Sequence, residues 1–173
     1  MKKLTDRLTD WLKKRTFGDW AFAAVVVIAL FLRGPLLIDQ FKHEGKILIP
    51  SIVDGKQIPP PNEKSILVFW ATWCGPCTIE LGRLNSAIQK GEISAQHLYA
   101  VNMGEELAVV ERTVKEKKYL FQVIRDERGE IASKLGVTAT PTIAFVNKDN
   151  TVKWLSSGLS PTLIYRIQFF QKN

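Results

Sequence analysis

Residues 65–71, SILVFWA, form a continuous apolar run that stops two residues short of Cys74. Such a run marks a strand buried on both faces, which must be covered from above and below. The pattern then changes period. From about Cys74 to Gln89, Ile79, Leu81, Leu84 and Ile88 fall among polar positions, as an amphipathic helix requires. The chain is therefore tied to a strand that turns directly into a helix, with two cysteines three residues apart at the turn.

The rest of the sequence extends this pattern. Ile47-Leu48-Ile49 and Ile52-Val53 read as strand, Asp54-Gly55 as a turn and Lys56-Gln57-Ile58 as a return, ended by Pro59-Pro60-Pro61. His97–Val101 reads as a second buried strand and Glu105–Lys118 as a helix. Tyr119–Ile124 reads as an extended stretch and Gly129–Leu135 as a short helix. Thr142–Val146 and Val152–Ser156 pair around a Lys148-Asp149-Asn150 turn, and a helix from about Pro161 closes the chain. Strands alternate with helices and then pair as a hairpin, which predicts an α/β fold with a partly parallel, mixed sheet.

The chain has 2 cysteines and 2 histidines, His43 and His97. That is too few cysteines for a disulfide-stapled scaffold and too few ligands of these types for a four-ligand zinc site. On count alone the pair is redox-active, part of a metal site, or incidental. The net charge of +7 divides into +3 over residues 1–45 and +4 over residues 46–173. No basic stripe interleaved with aromatics occurs, so nucleic acid is not an expected partner. Lys115, Lys117 and Lys118 lie among Glu111 and Glu116 and read as a solvated helix face.

Residues 20–32, WAFAAVVVIALFL, carry no charge. Thirteen residues rise only about 20 Å as a helix, but residues 17–38 are long enough for a ~30 Å hydrocarbon core if Asp19 and Arg33 sit at the interfaces. A cleaved signal peptide would need a small-x-small site, which does not follow Leu32; an interfacial helix would need a polar face. Lys2, Lys3, Arg7, Lys13, Lys14 and Arg15 precede the run and predict a cytoplasmic N-terminus. The expected organisation is a cytoplasmic segment 1–16, a transmembrane anchor 17–38 in contact with the lipid bilayer, a tether 39–45 and a globular domain 46–173 on the far side.

Position gives the cysteines a chemistry. At a helix start, unpaired N–H groups and a partial positive charge stabilise a thiolate, lowering a Cys pKa from about 8.5 to between about 3.5 and 7.5. Pro76 is tolerated in a first turn because its missing N–H would have no partner there, and Gly75 leaves the sulfur open. Cys74 is then the attacking thiol and Cys77 the resolving one, and a redox-active Cys74–Cys77 disulfide serves without any other cofactor or metal. Two buried cysteines packed as small hydrophobes would be the bland alternative, but it does not explain their place between strand and helix. Trp73, beside Cys74, reads as an exposed contact surface and Trp70 as core.

Phe69–Cys77, FWATWCGPC, followed by Val137-Thr138-Ala139-Thr140-Pro141-Thr142, resembles the thioredoxin superfamily. The apolar N-terminus, the Asp54-Gly55-Lys56 turn and Glu80 resemble its TlpA/ResA/CcmG branch, membrane-anchored thiol-disulfide oxidoreductases. The resemblance implies a thioredoxin-like domain over roughly 46–170 and a cis Thr140–Pro141 bond beside the active-site turn. That segment would bind substrate by strand addition, with Trp73, Gly75 and Pro76 contributing, and would keep metal off the sulfurs. Val68 stands where many relatives carry a polar residue, leaving Glu80 as the candidate proton acceptor, against the alternative of a solvent-facing helical Glu. Gly82 stands where relatives have a kink-forming proline.

The resemblance thus implies a single-pass protein of the bacterial cytoplasmic membrane with its catalytic domain in the periplasm or extracytoplasmic space. It would reduce disulfides of substrate proteins, apocytochrome c or copper-site thiols among them, with electrons from a membrane donor. The Gly-Pro between the cysteines resembles that of reducing thioredoxins. A disulfide oxidase or isomerase is the nearest alternative, and a thiol-based copper-binding module a more distant one, unsupported by any Met or His cluster.

Overall fold

The computed structural model describes residues 22, 24–28, 45–53 and 55–173. The chain divides into two units, Met1–Ile38 and Asp39–Asn173. In the first, residues 22 and 24–28 are helical, with Phe22, Val25, Val27 and Ile28 exposed. Among the described residues no helix is long and apolar enough to cross a membrane. The span expected over 17–38 lies outside them except for those helical positions, as do His43 and Asp54.

The second unit is built on β3 (Ser65–Trp70), all of whose residues are buried. β4 (Leu98–Asn102) runs parallel to it, with Ile66 opposite Leu98 and Trp70 opposite Asn102. β5 (Gln122–Arg125) extends this parallel side. On the other side β6 (Thr142–Val146) is antiparallel to β3, and β7 (Val152–Ser157) antiparallel to β6, giving the order β5-β4-β3-β6-β7. Four helices complete the unit: α1 (Gly75–Gln89), α2 (Leu107–Lys117), α3 (Glu130–Leu135) and α4 (Leu163–Lys172). This is a thioredoxin-like α/β fold.

Alternating side chains of β3 feed two separate cores, as the two-residue period of a strand dictates. Ile66, Val68 and Trp70 pack with Leu81, Leu84 and Ala87 of α1, Val110 of α2, and Leu163, Ile167 and Phe170 of α4. Leu67 and Phe69 pack on the opposite face with Ile131, Ala132 and Leu135 of α3 and with Leu48 and Ile58. Each large side chain so buried contributes about 1.5–3 kcal/mol, so β3 anchors both faces.

Several boundaries differ from the sequence pattern, each for a physical reason. The hairpin is β1 (Ser51–Val53) with β2 (Lys56–Ile58), and Gly55 makes its turn at φ +73°. Ile47-Leu48-Ile49 is not part of it. Pro50 cannot donate to a ladder, and Ile47 instead bridges Thr151 beside β7, with Leu48 N–H on the Asn150 carbonyl at 2.9 Å. Residues 119–121 are not strand: Lys118 ends α2 in the left-handed region, and the Asn85 side chain takes the Leu120 N–H at 2.7 Å. Tyr119 and Phe121 there stack at 5.0 Å. Lys115, Lys117 and Lys118 are solvent-exposed.

Candidate active site

β3 ends at Trp70, and only Ala71, Thr72 and Trp73 separate it from Cys74, the N-cap residue of α1. Cys74 has an extended backbone (φ −84°, ψ 101°), and its Sγ accepts the Cys77 N–H at 3.2 Å. A sulfur takes the capping role usually filled by an oxygen, at the positive end of a four-turn helix. Pro76 lies in the first turn, as its chemistry allows. Cys74 and Cys77 form a disulfide, with S–S 2.06 Å and Cα–Cα 5.2 Å. Cys77 is fully buried and Cys74 only 5% exposed, whereas Gly75 and Pro76 are exposed and Trp73 is 77% exposed. Trp70 is core.

The Thr140–Pro141 peptide is cis. Thr142 pairs with Phe69, so the strand register places Thr140 and Pro141 alongside the end of β3, next to the segment that leads to Cys74. Thr142 is fully buried, its hydroxyl donating to the Ala139 carbonyl at 2.7 Å, and the Pro141 carbonyl accepts the Gly158 N–H at 2.7 Å. Val68 joins Cys74, Cys77, Leu81 and Ile143 in one apolar cluster, so the side of Cys77 facing the sheet is hydrocarbon.

Glu80 is fully buried, which removes the solvent-facing alternative. Oε2 accepts from Arg83 Nη1 at 2.7 Å, and Oε1 from the Ser160 N–H at 2.9 Å. Arg83 continues to the carbonyls of Ser160 (2.9 Å) and Pro161 (3.1 Å). The pair thus clamps α1 to the loop after β7, and it explains why α4 starts at Leu163 rather than near Pro161: the preceding backbone groups serve the clamp. Gly82 leaves open space where a side chain would project.

A second carboxylate was not singled out by sequence pattern. Glu105 stands before α2 and accepts the Thr72 N–H on Oε2 at 2.7 Å, the Thr72 hydroxyl on Oε1, and the amide of buried Asn102 on Oε2 at 2.6 Å. Burial, the largest single influence, pushes its pKa up, but these hydrogen bonds together outweigh it and hold the group below its ordinary value of 4.5. The available signal was Asn102, a polar residue ending an otherwise apolar strand. Among the described residues the His97 ring pairs with Gln96, Tyr99 and Glu63, at the start of β4 and so at the opposite end of the sheet from the disulfide.

A disulfide closing the first turn of a helix, at the end of the central strand of this sheet, defines the thioredoxin-like class of protein. Residues 50–155 match the AhpC/TSA family, and the chain belongs to it. It is 32% identical over 142 residues to the thiol-disulfide oxidoreductase ResA of Bacillus cereus, covering 73% of this chain and 82% of that protein. It is 26% identical over 170 residues to the thiol:disulfide interchange protein DsbE of Pseudomonas fluorescens, covering 86% and 91%. The crystal structure of StoA from Bacillus subtilis shares the fold, with TM-score 0.62 at 23% identity over 73% of this chain and 98% of that one. The chain is a thiol-disulfide oxidoreductase of the ResA/StoA/DsbE type.

Proposed function

We propose that this chain is a membrane-anchored disulfide reductase working outside the cytoplasm, with Cys74 as the attacking thiol and Cys77 as the resolving one. The observation that carries the reading is the Cys77 N–H aimed at Cys74 Sγ at 3.2 Å. In the reduced enzyme that donor and the helix start stabilise a thiolate on Cys74. The thiolate attacks one sulfur of a substrate disulfide and expels the other as substrate thiolate. Cys77, deprotonated, then attacks Cys74 Sγ, which reforms the Cys74–Cys77 bond and frees the second substrate thiol. Two electrons pass to the substrate, and a membrane donor of the disulfide-reducing type returns them.

Burial supports this division of labour: Cys74 is slightly exposed and Cys77 not at all. Exposed Trp73, Gly75 and Pro76 border the point of attack, and Thr140–Pro141, placed by register beside it, offers an edge for an extended substrate segment. Glu80, one turn past Cys77, is the nearest carboxylate along α1 for taking up the resolving thiol's proton. Exposed apolar side chains on helical residues 22 and 25–28 support an anchor over 17–38 in the bacterial cytoplasmic membrane, with residues 46–173 periplasmic or extracytoplasmic. Substrates are proteins carrying thiols or disulfides, with apocytochrome c and copper-site proteins as the classes to test.

The full chain in detergent should reduce insulin with dithiothreitol as donor, and Cys74→Ser should abolish this. Retained activity in that variant would refute the mechanism. Cys77→Ala should accumulate substrates as mixed disulfides, whose identities distinguish reduction from oxidation or isomerisation. Glu80→Gln should shift the pH profile of alkylation of the reduced enzyme; superimposable profiles would leave Glu80 as a clamp alone.

A further inference from the structure

Of the three residues between β3 and Cys74, the middle one, Thr72, is held by a single carboxylate. Both oxygens of Glu105 are committed to Thr72, one to its backbone N–H at 2.7 Å and one to its hydroxyl, and Asn102 adds its amide at 2.6 Å. The turn that delivers this carboxylate is itself fixed. Asn102 is fully buried, its Oδ1 accepts the Glu105 N–H at 3.1 Å, and its carbonyl accepts the N–H groups of Gly104 (3.0 Å) and Asp126 (2.9 Å). Gly104 sits at φ +74°, and a Cβ there would lie 3.1 Å from the Glu127 carbonyl, so the turn is packed closely against the chain after β5 and has room only for glycine. Among the described residues no cation pairs with Glu105; its side chain is held by neutral donors only.

Thr72 is two residues before Cys74, and the Cys74 N–H returns to the Ala71 carbonyl at 3.2 Å, so the segment is a tight turn rather than a slack link. Fixing Thr72 therefore fixes where Cys74 Sγ and the Trp73 ring are presented. Disulfide exchange needs three sulfurs close to a line, and a displacement near 1 Å costs on the order of 100-fold in rate. We propose that Glu105 is a positioning residue for disulfide exchange, acting through Thr72 to set the approach of a substrate disulfide to Cys74. The inference rests on Cys74 being the attacking sulfur.

The test uses the full chain in detergent with Thr72→Val, Thr72→Ser, Glu105→Gln and the Thr72→Val/Glu105→Gln pair. Two rates are measured on each reduced protein: exchange with a small aromatic disulfide, and alkylation by iodoacetamide, which needs the thiolate but not the three-sulfur line. Thr72→Val and Glu105→Gln should slow exchange roughly tenfold while leaving alkylation within about twofold, since the loss is of geometry. Thr72→Ser should keep the native exchange rate, and the double variant should be no slower than the worse single one, because both changes break one contact. Exchange and alkylation falling in step, or exchange unchanged in both single variants while Cys74→Ser is inactive, would overturn the positioning role. An active Cys74→Ser would instead remove the reading beneath it.

Discussion

Two carboxylates fasten the segments on either side of the disulfide, and they are stabilised by opposite means. Glu80, after Cys77, is wholly buried and meets a guanidinium at 2.7 Å, with a backbone N–H on its other oxygen. Glu105 grips the segment before Cys74, is only partly buried, and its carboxylate is satisfied by Thr72 and Asn102, with no cation paired to it among the described residues. The difference follows from desolvation. A charge removed from water needs an opposite charge as well as hydrogen bonds, whereas one that keeps part of its hydration can be held by neutral donors. One carboxylate consequently pins α1 to the loop after β7, and the other pins the short loop that begins the helix.

That contrast can be broken most severely at Arg83. Arg83→Met should leave Glu80 buried and unpaired and cost about 3–5 kcal/mol, read as a large fall in the denaturation midpoint; a loss below about 1 kcal/mol would mean the clamp is not needed. Glu80→Gln removes the charge but keeps an acceptor for the Ser160 N–H, and should cost about 1–3 kcal/mol. Glu105→Gln should cost less, about 1 kcal/mol at neutral pH.

The last variant also carries a pH signature. The folded pKa of Glu105 lies below its ordinary 4.5, so its contribution is present above that value and is lost as pH falls through the folded value. The stability gap between the native chain and Glu105→Gln should therefore narrow in acid below about pH 4.5, measured by urea unfolding at several pH values. A constant gap would assign the effect to packing.

The fold was largely legible because its signals are local. SILVFWA alone announces a doubly covered strand, and the shift to helical spacing after Cys74 places the disulfide at a strand-to-helix junction. The positions of Cys74, Trp73 and Pro141 could be anticipated for the same reason, joined by the resemblance carried on FWATWCGPC and Thr140-Pro141. The carboxylate clamps could not. Thr72 reaches Glu105 across 33 positions and Arg83 reaches Ser160 across 77, and no periodicity encodes contacts of that separation. Glu105 reads only as the first residue of the expected helix Glu105–Lys118, and no local pattern singles out Arg83. The fate of Ile47-Leu48-Ile49 was hidden likewise, since its partner Thr151 follows about a hundred residues later.

The alternation along β3 has a consequence for how this domain comes apart. Ile66, Val68 and Trp70 belong to one core and Leu67 and Phe69 to the other, so the strand is a party wall between two rooms. Opening either room exposes a face of the same backbone and loosens the side chains that seat the other. Subglobal unfolding confined to one layer is thereby disfavoured, and the β3 amides should exchange with solvent only through global unfolding, more slowly than those of the hairpin. The redox turn is fastened to the last part of the molecule to let go.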